Sequence, residues 1–493
     1  MAIDTPNVIL PLAASYNVRG IQGYTNTVTN AIDQRKVNSI YNAVKNSLTG
    51  NTTLYLSKRP GVDIDAASLG TTGQVAYLAN LGASLGGLAI TNVWLFSVSG
   101  NDVRASNSAG TTTVIETAAN YKPFYVDKTS IGGSDTVVLQ TGTDSSTQHV
   151  WYSTTIGTWT QVTDGDFPDV IGKMEFLDGY AFAMSDSANV QRIYNSDINS
   201  LANWTATSYV TKQIQQDRTM GLMRLGNQII AVGQESVEIF RNAGNAVGSP
   251  LESVQQLAQR WGGLFDVSGP YYCTIGNRLY FASRHGNFRN PGISTYNGST
   301  FDKISTPSID RILSEGSIRT ISKVNVLSHE AVAVQLTLTT ASTQIWLMYF
   351  PEWNEWFEWN STVFTPVNSG YWHLGVGANQ HRMYALSSVT SNWQDDGTNY
   401  DEIHQFQLPN KGNQRQRMPF CAIKGDTSRS AHTITIAASD DDDQNFSTIA
   451  SIDMTSAAKK AHRCGSWQGS RTIRITNSAN LEGRMEAFLA RIE

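Results

Sequence analysis

Short apolar runs, each followed by a Gly-Asn, Asp-Gly or Gly-Gly pair and a second apolar run, recur through the middle of the chain. Such runs flanking a tight-turn dipeptide predict β-strands joined by two-residue hairpins. Met174-Glu175-Phe176-Leu177 leads through Asp178-Gly179 into Tyr180-Ala181-Phe182-Ala183-Met184, and Gln191-Arg192-Ile193-Tyr194 follows a polar loop. The same order returns as Leu222–Leu225, Gly226-Asn227, Gln228–Val232 and Ser236–Phe240, and again as Tyr271–Ile275, Gly276-Asn277, Arg278–Ala282 and Ile293–Tyr296. The hairpin positions 178, 226 and 276 lie 48 and 50 residues apart.

The spacing extends upstream to Gly132-Gly133 and Gly86-Gly87, and downstream to Ser328–Glu330 and Ala378-Asn379. Seven units between about 62 and 410 result, with turns near 86, 132, 178, 226, 276, 329 and 379. Four strands of about five residues with their turns consume roughly 40–50 residues, the length of one propeller blade. One such sheet leaves both faces uncovered, so copies must stack around an axis. The predicted fold class is therefore all-β: a β-propeller of seven blades, with six blades and a divergent hairpin as the alternative.

Helical periodicity is confined to Gln34–Leu48, Pro250–Trp261 and Pro307–Leu313. In the second, Ser249 could cap, Pro250 suits the first turn, and Leu251, Val254, Leu257 and Ala258 share a stripe. The reading is a helix docked on a blade. Residues 1–60 lack the blade pattern and read as an N-terminal extended arm with a short helix. The propeller occupies 61–410. Asn410-Lys411-Gly412-Asn413-Gln414-Arg415-Gln416-Arg417 is basic, giving a linker at 411–417, and strands such as Thr433–Ile436 and Thr472–Ile475 define a small C-terminal β domain at 418–493.

Charged residues are only 16% of the 493, against roughly 25% in average globular domains. Ser, Thr, Asn, Gln and Gly supply the remaining polarity, as in turn-rich β proteins. A formal net charge of −5 argues against a protein that grips phosphates through clustered Lys and Arg. The three cysteines, Cys273, Cys421 and Cys464, form no Cys-x-x-Cys pair, so neither a zinc site nor a disulfide scaffold is expected. No basic n-region precedes an apolar stretch at the start and no window is long and apolar enough for a membrane span, so a cytoplasmically made chain is expected.

Candidate chemistry is sparse. Gly82-Ala83-Ser84-Leu85-Gly86 matches the nucleophile-elbow pattern, but Gly87-Leu88-Ala89-Ile90 continues toward a strand where that motif needs a helix. The eight histidines are scattered, and His285 reads as a solvated loop residue. Asp440-Asp441-Asp442-Asp443 could bind calcium if its oxygens converged, but consecutive side chains on an extended segment alternate in direction, which favours an acidic hairpin tip. Trp353-Asn354-Glu355-Trp356-Phe357-Glu358-Trp359 could stack sugars or bases, although blade strands also use such aromatics as core. No catalytic, cofactor-binding or metal-binding residue is assigned, no cofactor is expected, and the chain is not read as an enzyme.

Several ordered motifs resemble the tail nozzle, or packaged-DNA stabilisation, family of short-tailed bacteriophages. They are Ser15-Tyr16-Asn17-Val18-Arg19, Lys58-Arg59-Pro60-Gly61-Val62, Asp166-Phe167-Pro168, Leu177-Asp178-Gly179-Tyr180, Tyr194-Asn195-Ser196-Asp197 with Trp204, and Val232-Gly233-Gln234-Glu235-Ser236-Val237-Glu238-Ile239-Phe240. Ser439-Asp440-Asp441 and Gly469-Ser470-Arg471-Thr472-Ile473-Arg474-Ile475-Thr476 look like the family's last domain, with Asp442-Asp443 standing where the family has glycines. The resemblance implies a structural virion protein at the distal end of a short tail, assembled in the host cytoplasm. It further implies a homohexameric ring that retains packaged DNA and forms the conduit for its ejection. The partners it implies are the portal-adaptor ring, tail fibres or spikes, a tail-tip needle and passing double-stranded DNA. The competing class is a propeller-type glycan-binding protein or glycosidase acting on the bacterial surface, suggested by the aromatic run and by Ser196-Asp197 and Ser439-Asp440, which faintly resemble the Asp-box turn of sialidases.

Overall fold

The computed structural model describes residues 6, 8–12, 34–45, 52–66, 94–99, 102–107, 112–117, 123–141, 149–154, 158–185, 191–213, 215, 217–245, 247–254, 262–263, 271–285, 290–339, 344–366, 372–375, 383–386, 392–408, 414–428, 430–441 and 443–493. The chain is nearly all-β and divides into two units, one formed by 64–346 and 364–385, the other by 1–63, 347–363 and 386–493.

In the larger unit, successive antiparallel four-stranded meanders cover 123–161, 175–211 and 219–253, and a related sheet covers 262–303. Their first hairpins are the two-residue turns expected from the sequence, closed by the pairs Ile131↔Ser134, Leu177↔Tyr180, Leu225↔Gln228 and Ile275↔Arg278. Asp178 and Gly179 have φ of 52° and 83°, the positive pair of a type I′ turn whose twist matches the flanking strands. The turn expected near 329 lies at Leu327-Ser328, between Val326 and His329. Those expected at 86 and 379 lie outside the described residues.

The unbroken apolar runs follow from burial on both faces. Along Tyr180–Met184, Ala181 and Ala183 pack with Val138, Val150 and Val162 of the preceding sheet, whereas Phe182 and Met184 pack with Leu222, Ile229 and Phe240 of the following one. The next sheet repeats this, with Ile229 and Ala231 facing back and Ile230 and Val232 facing Leu279, Phe281 and Tyr296. Period-two alternation thus gives every sheet-to-sheet seam its own core. The first strands also meet: Tyr125 lies edge-on to Tyr271, ring centroids 5.8 Å apart.

Two helical expectations are corrected where the residues are described; 46–48 of one and 255–261 of the other, with Leu257 and Ala258, lie outside the described residues. Leu251–Ser253 is the fourth strand of its sheet, paired with Phe240–Asn242, because Leu251 fills the seam with Leu222 and Phe240 while its backbone closes the sheet edge. Arg35–Val37 and Ser39–Lys45 are strands either side of Asn38, whose φ of 52° breaks the run. Val37, Ile40 and Tyr41 have helical spacing, but they are buried because both faces of these strands are covered. The helix Pro307–Ser314 forms as expected, with Thr306 capping Ile309 N–H.

The smaller unit gathers residues expected in the arm, the linker and the C-terminal domain together with 61–63, 347–363 and 386–410, expected in the propeller. One sheet orders 39–45, 52–58, 485–491, 420–425 and 460–462, with Val8–Pro11 also pairing to Met485–Arg491. Within the unit, the strands 355–359, 35–37, 402–407, 472–477, 433–439 and 447–453 follow one another in a second sheet. Phe406 of this sheet packs on Phe488 of the first, ring centroids 5.2 Å apart. Arg415–Arg417, expected as strandless linker, pairs with Ser466–Gln468.

Candidate functional site

The quoted motifs converge on buried polar locks. In the smaller unit, Lys58-Arg59-Pro60-Gly61 leaves its strand with the Arg59 side chain wholly buried. Its guanidinium meets Asp395 through two bonds, Nη1 to Oδ1 at 2.9 Å and Nη2 to Oδ2 at 2.6 Å. Nε donates to Asn38 Oδ1 at 3.2 Å, Nη1 to Pro60 O at 3.1 Å and Nη2 to Asn360 O at 3.3 Å. The Tyr400 ring lies 3.8 Å from the guanidinium carbon, and its hydroxyl donates to Arg59 O. A fork with every branch satisfied is what makes so deep a charge tolerable. Gly61 is required by close approach, since a Cβ there would lie 2.0 Å from Gln394 O.

Beside it, Lys58 donates to Ala479 O at 2.9 Å, and burial draws its pKa down to about 8. Glu402, buried and bonded to Asn477 Nδ2 at 3.1 Å, is pushed up to about 8 by that burial. Asn477 Oδ1 faces His432 Nε2 at 2.9 Å. His404 is fully buried with neither ring nitrogen bonded among the described residues, and that burial, with Lys36 adding to it, holds it well below the usual histidine range.

In the larger unit, Val232-Gly233-Gln234-Glu235-Ser236 curls around Asp217. Its Oδ2 accepts from Glu235 N at 2.6 Å and Ser236 N at 3.0 Å, Oδ1 accepts from Ser236 Oγ at 3.1 Å, and the buried Lys212 ammonium pairs with the same carboxylate. Glu238, the next acid in the motif, accepts from Gln213 N at 2.8 Å and Ser253 Oγ at 2.5 Å. Asp166-Phe167 and Trp204 also meet: Phe167 lies edge-on to Trp204 at 5.0 Å, and Asp166 accepts from Ala206 N at 3.2 Å. Ser196 ties its own sheet, accepting from Ala181 N and donating to Asp197 O, both at 3.0 Å.

Where the first strands converge, Lys173 contacts Asp127 at 2.5 Å and Glu175 at 3.6 Å, and Tyr272 donates to Glu175. Burial raises the Glu175 carboxyl to about 7, against the pull of Lys173. The Tyr271 hydroxyl accepts from Lys173 N at 3.0 Å and donates to Leu222 O at 2.6 Å. Sequence reading passed over this cluster, since its residues come from strands nearly 150 positions apart.

Asp442 lies outside the described residues, and the rest of the acidic run is divided among protein donors. Asp440 is held by Arg471 Nε at 2.6 Å and Nη2 at 2.7 Å, uniting the two C-terminal motifs. Asp441 accepts from Ser439 Oγ, Asn445 N and Asn445 Nδ2, which bring its pKa down to about 2, and Asp443 accepts from Gln405 at 2.8 Å. The aromatic run is core on one side: Phe357 and Trp359 are buried, and Trp353 lies against Tyr41 and Phe350 at 5.5 and 5.0 Å. His285 closes the strand Arg278–His285. Ser15–Arg19 and Gly82–Gly86 lie outside the described residues.

A stacked set of four-stranded antiparallel sheets defines a protein of β-propeller type. The chain belongs to the phage stabilisation family described as Bacteriophage P22 Gp10, beta-propeller, which matches residues 21–362 of the 493. It is thus a structural protein of bacteriophage kind. A search of curated proteins finds no match. Among solved structures, the chain resembles one in the mitotic checkpoint complex at TM-score 0.38 and 10% identity, covering 74% of this chain and 95% of the other. It also resembles an exo-β-1,3-galactanase from Phanerochaete chrysosporium at TM-score 0.31 and 8% identity, covering 88% and 100%. Likenesses at this level carry no functional argument.

Proposed function

We propose that the chain forms the distal nozzle or hub ring of a short phage tail, where it retains packaged DNA and shapes the conduit for its ejection. The observation that carries this reading is membership of the phage stabilisation family across 21–362, the span holding most of the motifs now seen as structural locks. A non-enzymatic role is supported by how those motifs spend their polar groups, on buried partners within the chain.

The charge fits the role. Six copies at −5 each would carry about −30, a wall that repels phosphate and lets DNA slide. Glu175 and Tyr271 are buried, and Tyr272 partly buried, where the first strands meet, which supports a passage between copies over one through a propeller axis. In this reading the propeller, seven blades by its sequence period, is a rigid brick, and the smaller unit supplies contacts to neighbouring copies and to the portal-adaptor ring.

Electron microscopy of the particle tests the proposal: an axial ring of this chain at the tail tip is expected, and its absence from virions would overturn it. Light scattering adds a second arm. A strict monomer, both alone and mixed with adaptor ring, speaks against the ring, whereas hydrolysis of host polysaccharide would favour the glycan-directed alternative.

A further inference from the structure

Two of the three cysteines, 43 positions apart in sequence, meet inside the smaller unit. Cys421 sits in the strand Phe420–Gly425, opposite Ala461 of the edge strand Lys460–His462. The chain then turns sharply, with φ of 61° at Arg463 and 90° at Gly465. Arg463 N donates to Pro419 O at 2.7 Å and Cys464 N to Met418 O at 3.0 Å, which pins the turn to the segment leading into Cys421. The result is a Sγ–Sγ distance of 3.3 Å, with both residues 0% exposed. Arg471, itself clamped by Asp440, donates to Cys464 O at 3.3 Å and holds the far side of the turn.

We propose that Cys421 and Cys464 are a disulfide-forming pair, closed when the folded chain meets a small-molecule disulfide as oxidant. The backbone already places the two sulfurs side by side, so closure needs an approach of about 1.3 Å to reach bonding distance. Cys464 is the attacking sulfur, since the Arg471 guanidinium bonded to its carbonyl favours its thiolate. Its thiolate attacks one sulfur of the oxidant and expels the other as a thiolate, leaving a mixed disulfide on Cys464. Cys421 then gives up its proton and attacks the Cys464 sulfur, expelling the second small thiolate. Two protein thiols are oxidised and one small disulfide is reduced to two thiols. Since neither sulfur is exposed, the first attack waits on opening of the Lys460–His462 edge, so the native reaction is slow.

The pair rests on geometry alone. The place where it closes rests on the virion reading: a chain made reduced in a cytoplasm would meet oxidising surroundings in the released particle.

The test uses the purified full-length chain, incubated with glutathione disulfide or with dithiothreitol. Oxidation is expected to remove two of the three thiols, leaving Cys273 free, and a non-reducing peptide map should join Cys421 to Cys464. The unfolding midpoint should rise by roughly 5–10 °C on closure and fall back on reduction. Cys273→Ser should keep that shift, and Cys421→Ser and Cys464→Ser should lose it. Three free thiols after prolonged native oxidation, a lasting glutathione adduct without closure, or a bridge to Cys273 would overturn the proposal. The thiol count and peptide map need no variant. Closure in the purified chain together with absence of the chain from particles would retain the pair and remove only the virion reading.

Discussion

Arg59 and Asp395 form a two-pronged ion pair at 2.6 and 2.9 Å with side chains 0% and 3% exposed, tying the strand Thr52–Lys58 to a segment more than 330 positions later. Removing one partner leaves the other charge buried without its counter-ion. Asp395→Ala should therefore destabilise by about 3–5 kcal/mol. Arg59→Lys should also be costly, because an ammonium lacks the planar fork that reaches Asp395, Asn38 and Asn360 together. The double variant Arg59→Met with Asp395→Leu should lose much less than the sum of its singles. Denaturant unfolding of the set checks this; additive losses would contradict the pairing.

Asp217 and Gly233 give a second cycle. A Cβ on Gly233 would lie 2.3 Å from Asp217 Oδ2, so Gly233→Ala forces the carboxylate off its two backbone N–H donors. We expect a loss of about 2–3 kcal/mol for Gly233→Ala and somewhat more for Asp217→Ala, which also strands Lys212. In the Asp217→Ala background, Gly233→Ala should cost little further, because the atoms it displaces are gone. Thermal unfolding of the four chains decides the matter.

The period and the turns were legible because they are local. Asp178-Gly179, Gly226-Asn227 and Gly276-Asn277 announce their hairpins through backbone preference alone, and alternation such as Ala181/Phe182 belongs to strands buried on both faces. What failed was also physical. Val37, Ile40 and Tyr41 carry a helical stripe, yet strand partners from residues 358 and 403 override it. Leu251 reads as part of a helix until the open edge of Phe240–Asn242 is known. Arg59 was noticed as part of a motif, but its partner Asp395 is set by tertiary approach, as is the meeting of Lys173 with Asp127.

Leu327 tests a hairpin whose chemistry departs from that of the turns at 226 and 276. It takes φ of 55° where the equivalent turns place glycine at positions 226 and 276. A left-handed non-glycine residue carries about 1 kcal/mol of strain, so Leu327→Gly should stabilise by about 0.5–1 kcal/mol once lost side-chain contact is subtracted. A lower unfolding midpoint in the variant would contradict the turn geometry.

Glu402 predicts a pH dependence with a defined sign. Its folded pKa of about 8 lies above that of an unfolded glutamate, near 4.3. Between those values the native state binds the extra proton, so stability falls as pH rises and the loss is complete above the folded pKa. Glu402→Gln keeps an acceptor for Asn477 without a charge to bury. Its advantage over the unmodified chain should be near zero at pH 4 and grow to a few kcal/mol by pH 9. An advantage that shrinks with rising pH would place the carboxylate elsewhere than in this buried site.

Tyr271 joins three sheets through one oxygen, accepting from Lys173 N and donating to Leu222 O while its ring packs on Tyr125. Tyr271→Phe keeps the ring and removes only the oxygen, which takes away the partner of a part-buried N–H and of a buried carbonyl. The expected loss is about 1–3 kcal/mol, because the Leu222 carbonyl is left shut away from water while the Lys173 N–H is only partly so. Crowding sharpens the argument: a Cβ on Gly221 would lie 2.5 Å from the same hydroxyl, so Gly221→Ala should be disruptive in the native chain and less so beside Tyr271→Phe. Amide hydrogen exchange supplies the site-specific readout. Lys173 N–H should lose protection in Tyr271→Phe, while amides of the smaller unit keep theirs, and unchanged protection at Lys173 would show that the hydroxyl does not hold the first strands together.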